Sequence, residues 1–248
     1  PQVSLDSTFW ALGGSGDING DGDSDIIWRE KTGDRVAVWF MADAYSDSGE
    51  FLATGSPGLS WVLQDVADYD GDNDVDIIWQ NTITRQNAVW FMQDGQVEVG
   101  RLIESLAVAA GSGWDLSGVG DFDRDGREND ILWRNQAAGV SVIWFMDDNL
   151  GEDGSTPGVA ASFVFTSDPG VTWRIDGVGD VNGDGTSDIL WRDGGLDSNG
   201  DGIVDIAGTG LSRIWFMGSN TTASGTEMTV ISESELSAPL DGSWLAVM

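Results

Sequence analysis

Apolar residues along this chain come in short runs or at a period of two, and nowhere at helical spacing. Val36-Ala-Val-Trp-Phe-Met41 is apolar at every position, as a strand covered on both faces of its sheet requires. Asp25-Ile-Ile-Trp-Arg29 is a shorter strand that begins directly behind an acidic loop. Phe51-Leu-Ala-Thr54 and Phe163-Val-Phe-Thr166 read as a further strand at the end of a unit. The 35 glycines punctuate the turns between such runs. This pattern predicts an all-β chain.

The runs repeat. Trp10, Trp61, Trp114, Trp173 and Trp244 open successive units at intervals of 51, 53, 59 and 71 residues. A second tryptophan follows the acidic loop of each full unit, at Trp28, Trp79, Trp133 and Trp191. A third lies in a Trp-Phe-Met triplet, at Trp39, Trp90, Trp144 and Trp215, so that with Trp244 all 13 tryptophans have a repeated place. Four short antiparallel strands per unit describe the blade of a β-propeller. The expected organisation is a single repeat domain over 1–248, with blades at about 10–60, 61–113, 114–172 and 173–243. Residues 244–248 would begin a further repeat or act as an exchanged or closing strand. The tryptophans and the Trp-Phe-Met residues are expected to pack blade on blade.

Between the first and second strands of each unit, oxygen-bearing side chains stand at alternate positions 1, 3, 5, 7 and 9. The first loop has Asp17, Asn19, Asp21, Asp23 and Asp25; the second has Asp68, Asp70, Asp72, Asp74 and Asp76. The fourth has Asp180, Asn182, Asp184, Thr186 and Asp188. Alternate residues pointing inward around a glycine bend are how a short loop wraps a hard divalent cation. In the second loop Asn73 stands where the others have glycine at position 6, and asparagine tolerates the left-handed backbone. The third loop has Asp121, Asp123, Asp125, Arg127 at position 7, and Asp130 as closing residue after one extra position. Its geometry must adjust to that insertion and to the positive charge of Arg124 and Arg127. A fifth loop, Asp197, Asn199, Asp201, Ile203 and Asp205, is nested inside the fourth unit.

These loops differ from helix-flanked calcium loops, which close with an acidic residue at position 12. Here position 12 is Trp28 in the first loop and Gly208 in the fifth, and the closing aspartate comes at the start of a strand. Position 7 is expected to coordinate through its backbone carbonyl, which accounts for Asp23, Asp74, Arg127, Thr186 and Ile203 there. An all-oxygen donor set favours Ca²⁺ over Zn²⁺ or Cu²⁺, with up to five ions. Asp-Gly segments are also ordinary turns; five such segments in register, each leading into an apolar strand, favour the cation. Carboxylates crowded this closely repel one another, so calcium is expected to be part of folding.

Charge changes the picture of partners. The chain carries 42 acidic and 11 basic residues, a formal net charge of -31, with Lys31 its one lysine. Nucleic acid and anionic lipid are therefore excluded as partners. The five loops hold 20 of the 42 carboxylates, which points to cation binding rather than a uniformly acidic coat. The tryptophans and periodic strands exclude disorder. Neither cysteine nor histidine occurs, which removes disulfides, thiolate and imidazole metal sites and any histidine-based triad. No apolar run approaches the roughly 20 residues that span a bilayer. The chain opens at Pro1 without a charged-then-apolar leader, as a processed form or a piece of a longer protein does.

The string Trp173-Arg-Ile-Asp-Gly-Val-Gly-Asp-Val-Asn-Gly-Asp-Gly-Thr-Ser-Asp-Ile-Leu-Trp-Arg192, followed by the Trp-Phe-Met strand, resembles the FG-GAP/VCBS repeat family, in which integrin α-subunit propellers and many secreted bacterial proteins fall. The resemblance runs from Trp10 to Trp244. It implies that the aspartate and asparagine positions of loops one, two and four are calcium ligands, that loop three departs by its insertion, and that loop five is an extra copy. It further implies an extracellular, secreted or cell-surface propeller for adhesion, recognition or scaffolding, not an enzyme.

Three functions follow as expectations. The first is a structural or adhesive module whose partner is itself, as a homopolymer or tandem array, or an extracellular protein or glycan. Leu5-Asp-Ser-Thr-Phe-Trp10 and Leu240-Asp-Gly-Ser-Trp244 are copies of one opening segment, and a surplus strand of this kind can complete a neighbouring molecule head to tail. The second is a calcium-dependent carbohydrate-binding propeller, although every tryptophan has a place in the core pattern and Tyr45 and Tyr69 are out of register. The third, a polysaccharide-active enzyme, is weakest, because cation ligation already accounts for the paired carboxylates. Asn220-Thr-Thr222 is a glycosylation sequon in a polar loop.

Overall fold

The computed structural model describes residues 8–42, 45–52, 57–103, 113–147, 157–165, 169–197, 204–222 and 225–236. Among these residues there are sixteen strands and no helix. The first blade is β1 (Trp10–Gly16), β2 (Asp25–Glu30), β3 (Val36–Ala42) and β4 (Tyr45–Phe51). The second is β5 (Trp61–Ala67), β6 (Asp76–Asn81), β7 (Asn87–Gln93) and β8 (Gln96–Ile103). The third is β9 (Trp114–Gly120), β10 (Asp130–Asn135), β11 (Val140–Met146) and β12 (Val159–Val164). The fourth is β13 (Trp173–Gly179), β14 (Asp188–Asp193), β15 (Ser212–Thr222) and β16 (Gly225–Leu236). Each blade is one sheet whose strands lie side by side in chain order, the up-and-down antiparallel sheet of a β-propeller blade. The expected surplus strand, 244–248, lies outside the described residues.

The fourth strand falls elsewhere than the apolar pattern predicts. It is Tyr45–Phe51 rather than the run that starts at Phe51, and Val159–Val164 rather than the run that starts at Phe163. The reason is the hairpin. In the first blade the outer strand pairs back on the Trp-Phe-Met strand at once, with Trp39 opposite Gly49 and Phe40 opposite Ser48. As the sheet edge it can be polar, which hides it from a search for apolar runs.

Bulges recur at fixed places. Pairing of the first two strands skips Gly13, Gln64, Ser117 and Asp176, in each case the third residue after the opening tryptophan. Pairing of the last two strands slips between the Phe and the Met of the triplet, at Phe40/Met41, Phe91/Met92 and Phe216/Met217. An extra residue on one strand sharpens the local twist, and repeating it at one position gives every blade the same shape.

The chain divides into two compact units, one of residues 1–112 with 127–129 and 146–160, the other of 113–126, 130–145 and 161–248. The first unit has a core in which Ile18, Ile27, Val36 and Val38 of the first blade meet Ile77, Trp79 and Met92 of the second. Its innermost strands approach closely: a Cβ added at Gly14 would stand 3.1 Å from Val66. In the second unit Phe122, Leu132, Ile143, Phe145 and Phe165 meet Ile189, Trp191, Trp215 and Met217. Blade-on-blade burial of the tryptophans is thus present within each unit, but they have a further partner inside their own sheet. The second and third tryptophans of every blade pair, with centroids 4.9 Å apart for Trp28–Trp39, 4.9 Å for Trp79–Trp90, 4.8 Å for Trp133–Trp144 and 5.0 Å for Trp191–Trp215. Interplanar angles of 55° to 61° keep the ring quadrupoles in the tilted or edge-on arrangement they favour.

Candidate metal centres

Four described loops leave the first strand of a blade and enter the second, and their backbones bend alike. Positions 4 and 6 have positive φ in all four: Gly20 and Gly22, Gly71 and Asn73, Arg124 and Gly126, Gly183 and Gly185. Asn73 at φ 79 and Arg124 at φ 65 adopt what glycine adopts elsewhere. The position-1 aspartate fixes the bend by accepting backbone N–H bonds on both oxygens. Asp17 accepts from Asp21 at 3.0 Å and Gly22 at 2.8 Å, Asp68 from Gly71 at 2.8 Å and Asn73 at 3.0 Å. Asp121 accepts from Arg124 at 2.6 Å and Gly126 at 3.0 Å, and Asp180 from Gly183 and Gly185, each at 2.8 Å.

The closing aspartate has a different duty. Asp25, Asp76, Asp130 and Asp188 are all at most 1% exposed. One oxygen of each accepts the N–H of position 2: Ile18 at 3.0 Å, Tyr69 at 3.0 Å, Phe122 at 2.9 Å and Val181 at 3.1 Å. In blades one, two and four the other oxygen accepts the N–H of the triplet methionine, Met41 at 2.9 Å, Met92 at 2.8 Å and Met217 at 2.9 Å. The closing carboxylate thus ties the loop to the third strand. In the third loop Asp130 takes this place despite the insertion and also accepts from Asp123 at 3.2 Å.

Neighbouring loops are hydrogen-bonded to each other. The position-1 carbonyl accepts the N–H just ahead of the next closing segment: Val75 to Asp17 at 2.8 Å, Glu128 to Asp68 at 3.0 Å, and Ser187 to Asp121 at 2.7 Å. Two side chains strengthen these links, since Asp68 N–H donates to Glu128 Oε2 at 3.2 Å and Asp121 N–H to Ser187 Oγ at 3.0 Å. Glu128 lies in the extra stretch of loop three, so that stretch is in part a contact with loop two.

Carboxylate oxygens converge in two of the loops. One oxygen from each of Asp68, Asp70 and Asp76 lies within 4.8 Å of the others, and the same holds for Asp121, Asp123 and Asp130. Each cluster can hold a metal ion. These are the loops with aspartate at position 3; loops one and four present Asn19 and Asn182 there, an amide oxygen in place of a carboxylate. The position-5 aspartates, Asp21, Asp72, Asp125 and Asp184, stand outside both clusters. At position 7 the Asp74 carboxylate is turned to another purpose, accepting the N–H of Asp94 at 2.7 Å, while the Thr186 hydroxyl is buried without a hydrogen-bond partner. Asp23 and Arg127 complete that position, and the backbone carbonyl is free of any side-chain requirement.

In loop five, residues 198–203 lie outside the described residues, which leaves Asn199, Asp201 and Ile203 unplaced. Asp197 and Asp205 sit on a short stem where Leu196 bridges Ile206, with Asp205 N–H bonding the Leu196 carbonyl at 2.8 Å. Asp193 anchors the stem through Thr209, whose N–H and hydroxyl donate at 2.8 and 2.7 Å. Burial works to raise the Asp193 carboxyl, but these bonds outweigh it and hold it below the usual range.

Electrostatics test the fit to a cation. Burial pushes Asp76 up to about 8, with the Met92 bond opposing and the charge of Asp70 adding to the rise. Burial, then the charge of Asp72, pushes Asp70 to about 6. Burial also raises Asp25, Asp68, Asp121 and Asp188. Asp180 is instead lowered, chiefly by the Gly185 N–H. A hard divalent cation among these oxygens removes the penalty that burial and crowding impose, so donor set and charge both fit.

Sequence reasoning missed three features: the methionine N–H bonds, the inter-loop bonds and the need for positive φ at position 4. The first leaves a signal, since Met41 and Met92 each lie 16 residues beyond the closing aspartate, and so does the third, since position 4 is glycine at Gly20, Gly71 and Gly183.

Residues 17–79 match the family model of the FG-GAP-like repeat. No curated protein matches the chain at a significant level. Among solved structures, the Tc holotoxin pore of Photorhabdus luminescens, in a form with a mutation in TccC3, aligns at 12% identity and a TM-score of 0.43, over 84% of this chain and 10% of that one. The chain spans about a tenth of that toxin chain, and so distant a likeness carries no functional argument. No helix among the described residues is long and apolar enough to cross a membrane. The matched segment runs from the first acidic loop through the second tryptophan of the next blade, and over that segment the chain carries an FG-GAP-like repeat.

Proposed function

We propose that this protein is a calcium-binding structural module that works outside the cell, in adhesion or scaffolding rather than catalysis. The observation that carries this reading is the buried closing aspartate, which joins the carboxylate cluster on one side to the third strand on the other. An ion held there stiffens the blade rather than presenting a reactive centre. Calcium is favoured among hard cations because the loops offer flexible, irregular all-oxygen coordination, whereas Mg²⁺ demands a near-ideal octahedron. Dependence on calcium suits the extracellular space, where modules of this kind bind at about 10⁻⁴–10⁻³ M. Head-to-tail assembly through the terminal segments belongs to the same proposal, and residues 237–248 on which it rests lie outside the described residues.

Titration calorimetry with Ca²⁺ and with Mg²⁺ tests the reading. At least two Ca²⁺ sites are expected, both weakened by Asp76→Asn with Asp130→Asn. Equal affinity for Mg²⁺, or no saturable calcium binding, would refute it.

A further inference from the structure

A cavity of about 270 Å³ opens on the face of the second blade that bears Trp61, Trp79 and Trp90, with Ala88, Arg101 and Leu102 also at its walls. The fourth blade explains why it is open. There Arg213 lies opposite Trp191 on one side and Glu235 on the other, with Trp215 opposite Glu233. Its guanidinium stacks 4.8 Å from the Trp173 ring and bonds Glu233 at 3.3 Å and Glu235 at 2.8 Å. In the second blade the same register gives Ala88 opposite Trp79 and Leu102, and Trp90 opposite Gly100. The arginine and both carboxylates are thus replaced together by Ala88, Gly100 and Leu102, and the aromatic walls remain. The first blade also covers its opening tryptophan, with Arg35 5.3 Å from the Trp10 ring. On the second blade no residue of the chain plays that part for Trp61 among the described contacts.

We propose that this cavity binds a trimethylammonium group carried on a small ligand with its own acidic group, as in phosphocholine. Indole faces are the best aromatic partners for a cation, and boxes of them are the established receptors for quaternary ammonium. With Glu233 and Glu235 replaced by Gly100 and Leu102, a guanidinium or primary ammonium would lose its hydrogen-bond acceptors on entering. A quaternary ammonium has no N–H and loses none. Two cations stand nearby. Arg29 lies 5.5 Å from the Trp79 ring and bonds the carbonyls of Arg35 and Gly58, and Arg101 Nη1 bonds the Gly100 carbonyl at 3.3 Å. The second unit also has two guanidiniums in the corresponding places, Arg134 at 5.2 Å from Trp191 and Arg213 on Trp173, but there Glu233 and Glu235 balance the second; on the second blade the ligand's own anion has to supply that balance. Arg101 selects for the ligand's own anion. This site is independent of the calcium loops.

The test is tryptophan fluorescence titration of the whole chain in calcium, with choline, phosphocholine and the neutral isostere 3,3-dimethylbutan-1-ol. Phosphocholine is expected to bind most tightly, choline about tenfold more weakly, and the isostere weaker again. Arg101→Gln should remove the preference for phosphocholine over choline. Ala88→Arg, which copies the fourth blade, should abolish binding while leaving the melting temperature unchanged. Phosphatidylcholine vesicles form a separate arm: co-sedimentation identifies a lipid headgroup as the source, and its absence identifies the free ligand. The proposal is overturned if the isostere binds the parent protein as tightly as choline, if a neutral pyranose binds in preference to phosphocholine, or if a folded Ala88→Arg variant still binds.

Discussion

The Asp76 carboxylate accepts the backbone N–H of Met92 at 2.8 Å, which fastens the end of an acidic loop to the neighbouring third strand of the sheet. Its other oxygen accepts from Tyr69 at 3.0 Å, and the side chain is fully buried. Asp76→Ala leaves two buried N–H groups without acceptors, each costing about 1–3 kcal/mol. Loss of roughly 3 kcal/mol or more is expected in urea unfolding even without calcium. The exposed Asp72→Asn should change metal-free stability by less than about 0.5 kcal/mol.

The buried carboxyls make pH dependence opposite in the two forms. Burial raises Asp76 to about 8 and Asp70 to about 6, so without a cation the folded chain binds protons that the unfolded chain, with carboxyls near about 4, has released. That stabilisation is fully present below the unfolded value and is lost as pH rises to about 8. Metal-free protein should therefore melt higher at pH 5 than at pH 8. In calcium the order reverses, because protons compete with the ion for the same oxygens. Melting scans at the two pH values, with chelator and with calcium, decide the point.

Coupling between loops is expected from the bonds that join them. Ser187 is no ligand of the third loop, yet its N–H holds the Asp121 carbonyl at 2.7 Å and its hydroxyl accepts the Asp121 N–H at 3.0 Å. Ser187→Ala should weaken calcium binding at the Asp121–Asp123–Asp130 cluster by about fivefold, a coupling of about 1 kcal/mol. Calorimetry measures it, and an unchanged affinity would show that the loops act separately.

The tryptophan pairs are structural. Trp191 is fully buried, and its indole N–H has no hydrogen-bond partner. Trp191→Ala should cost about 3–5 kcal/mol from the cavity it leaves. Trp191→Phe forfeits volume but no hydrogen bond, and should cost clearly less in the same denaturant titration.

The repeat, the strands before and after each loop, and the closing aspartates were legible because composition marks them: tryptophan at fixed offsets and aspartate at alternate positions. Loop three was legible even with its insertion, since Asp130-Ile-Leu-Trp keeps the pattern of the other units. The outer strand was not, because Tyr45–Phe51 is polar and owes its place to pairing with β3. The spacing of Met41 and Met92 from the closing aspartates marks the place of their backbone bonds but not the contact itself, because a main-chain donor can belong to any residue. The set of converging carboxylates turned on one atom at position 3, aspartate in Asp70 and Asp123 against asparagine in Asn19 and Asn182. The open cavity showed only when Ala88 could be laid against Arg213 in register.

The central claim, that calcium is part of what holds these blades together, is tested most directly by the melting temperature at neutral pH in excess calcium and in excess chelator. A rise of several degrees in calcium, lost in Asp76→Asn with Asp130→Asn, is the expected result; identical melting with and without chelator would contradict it.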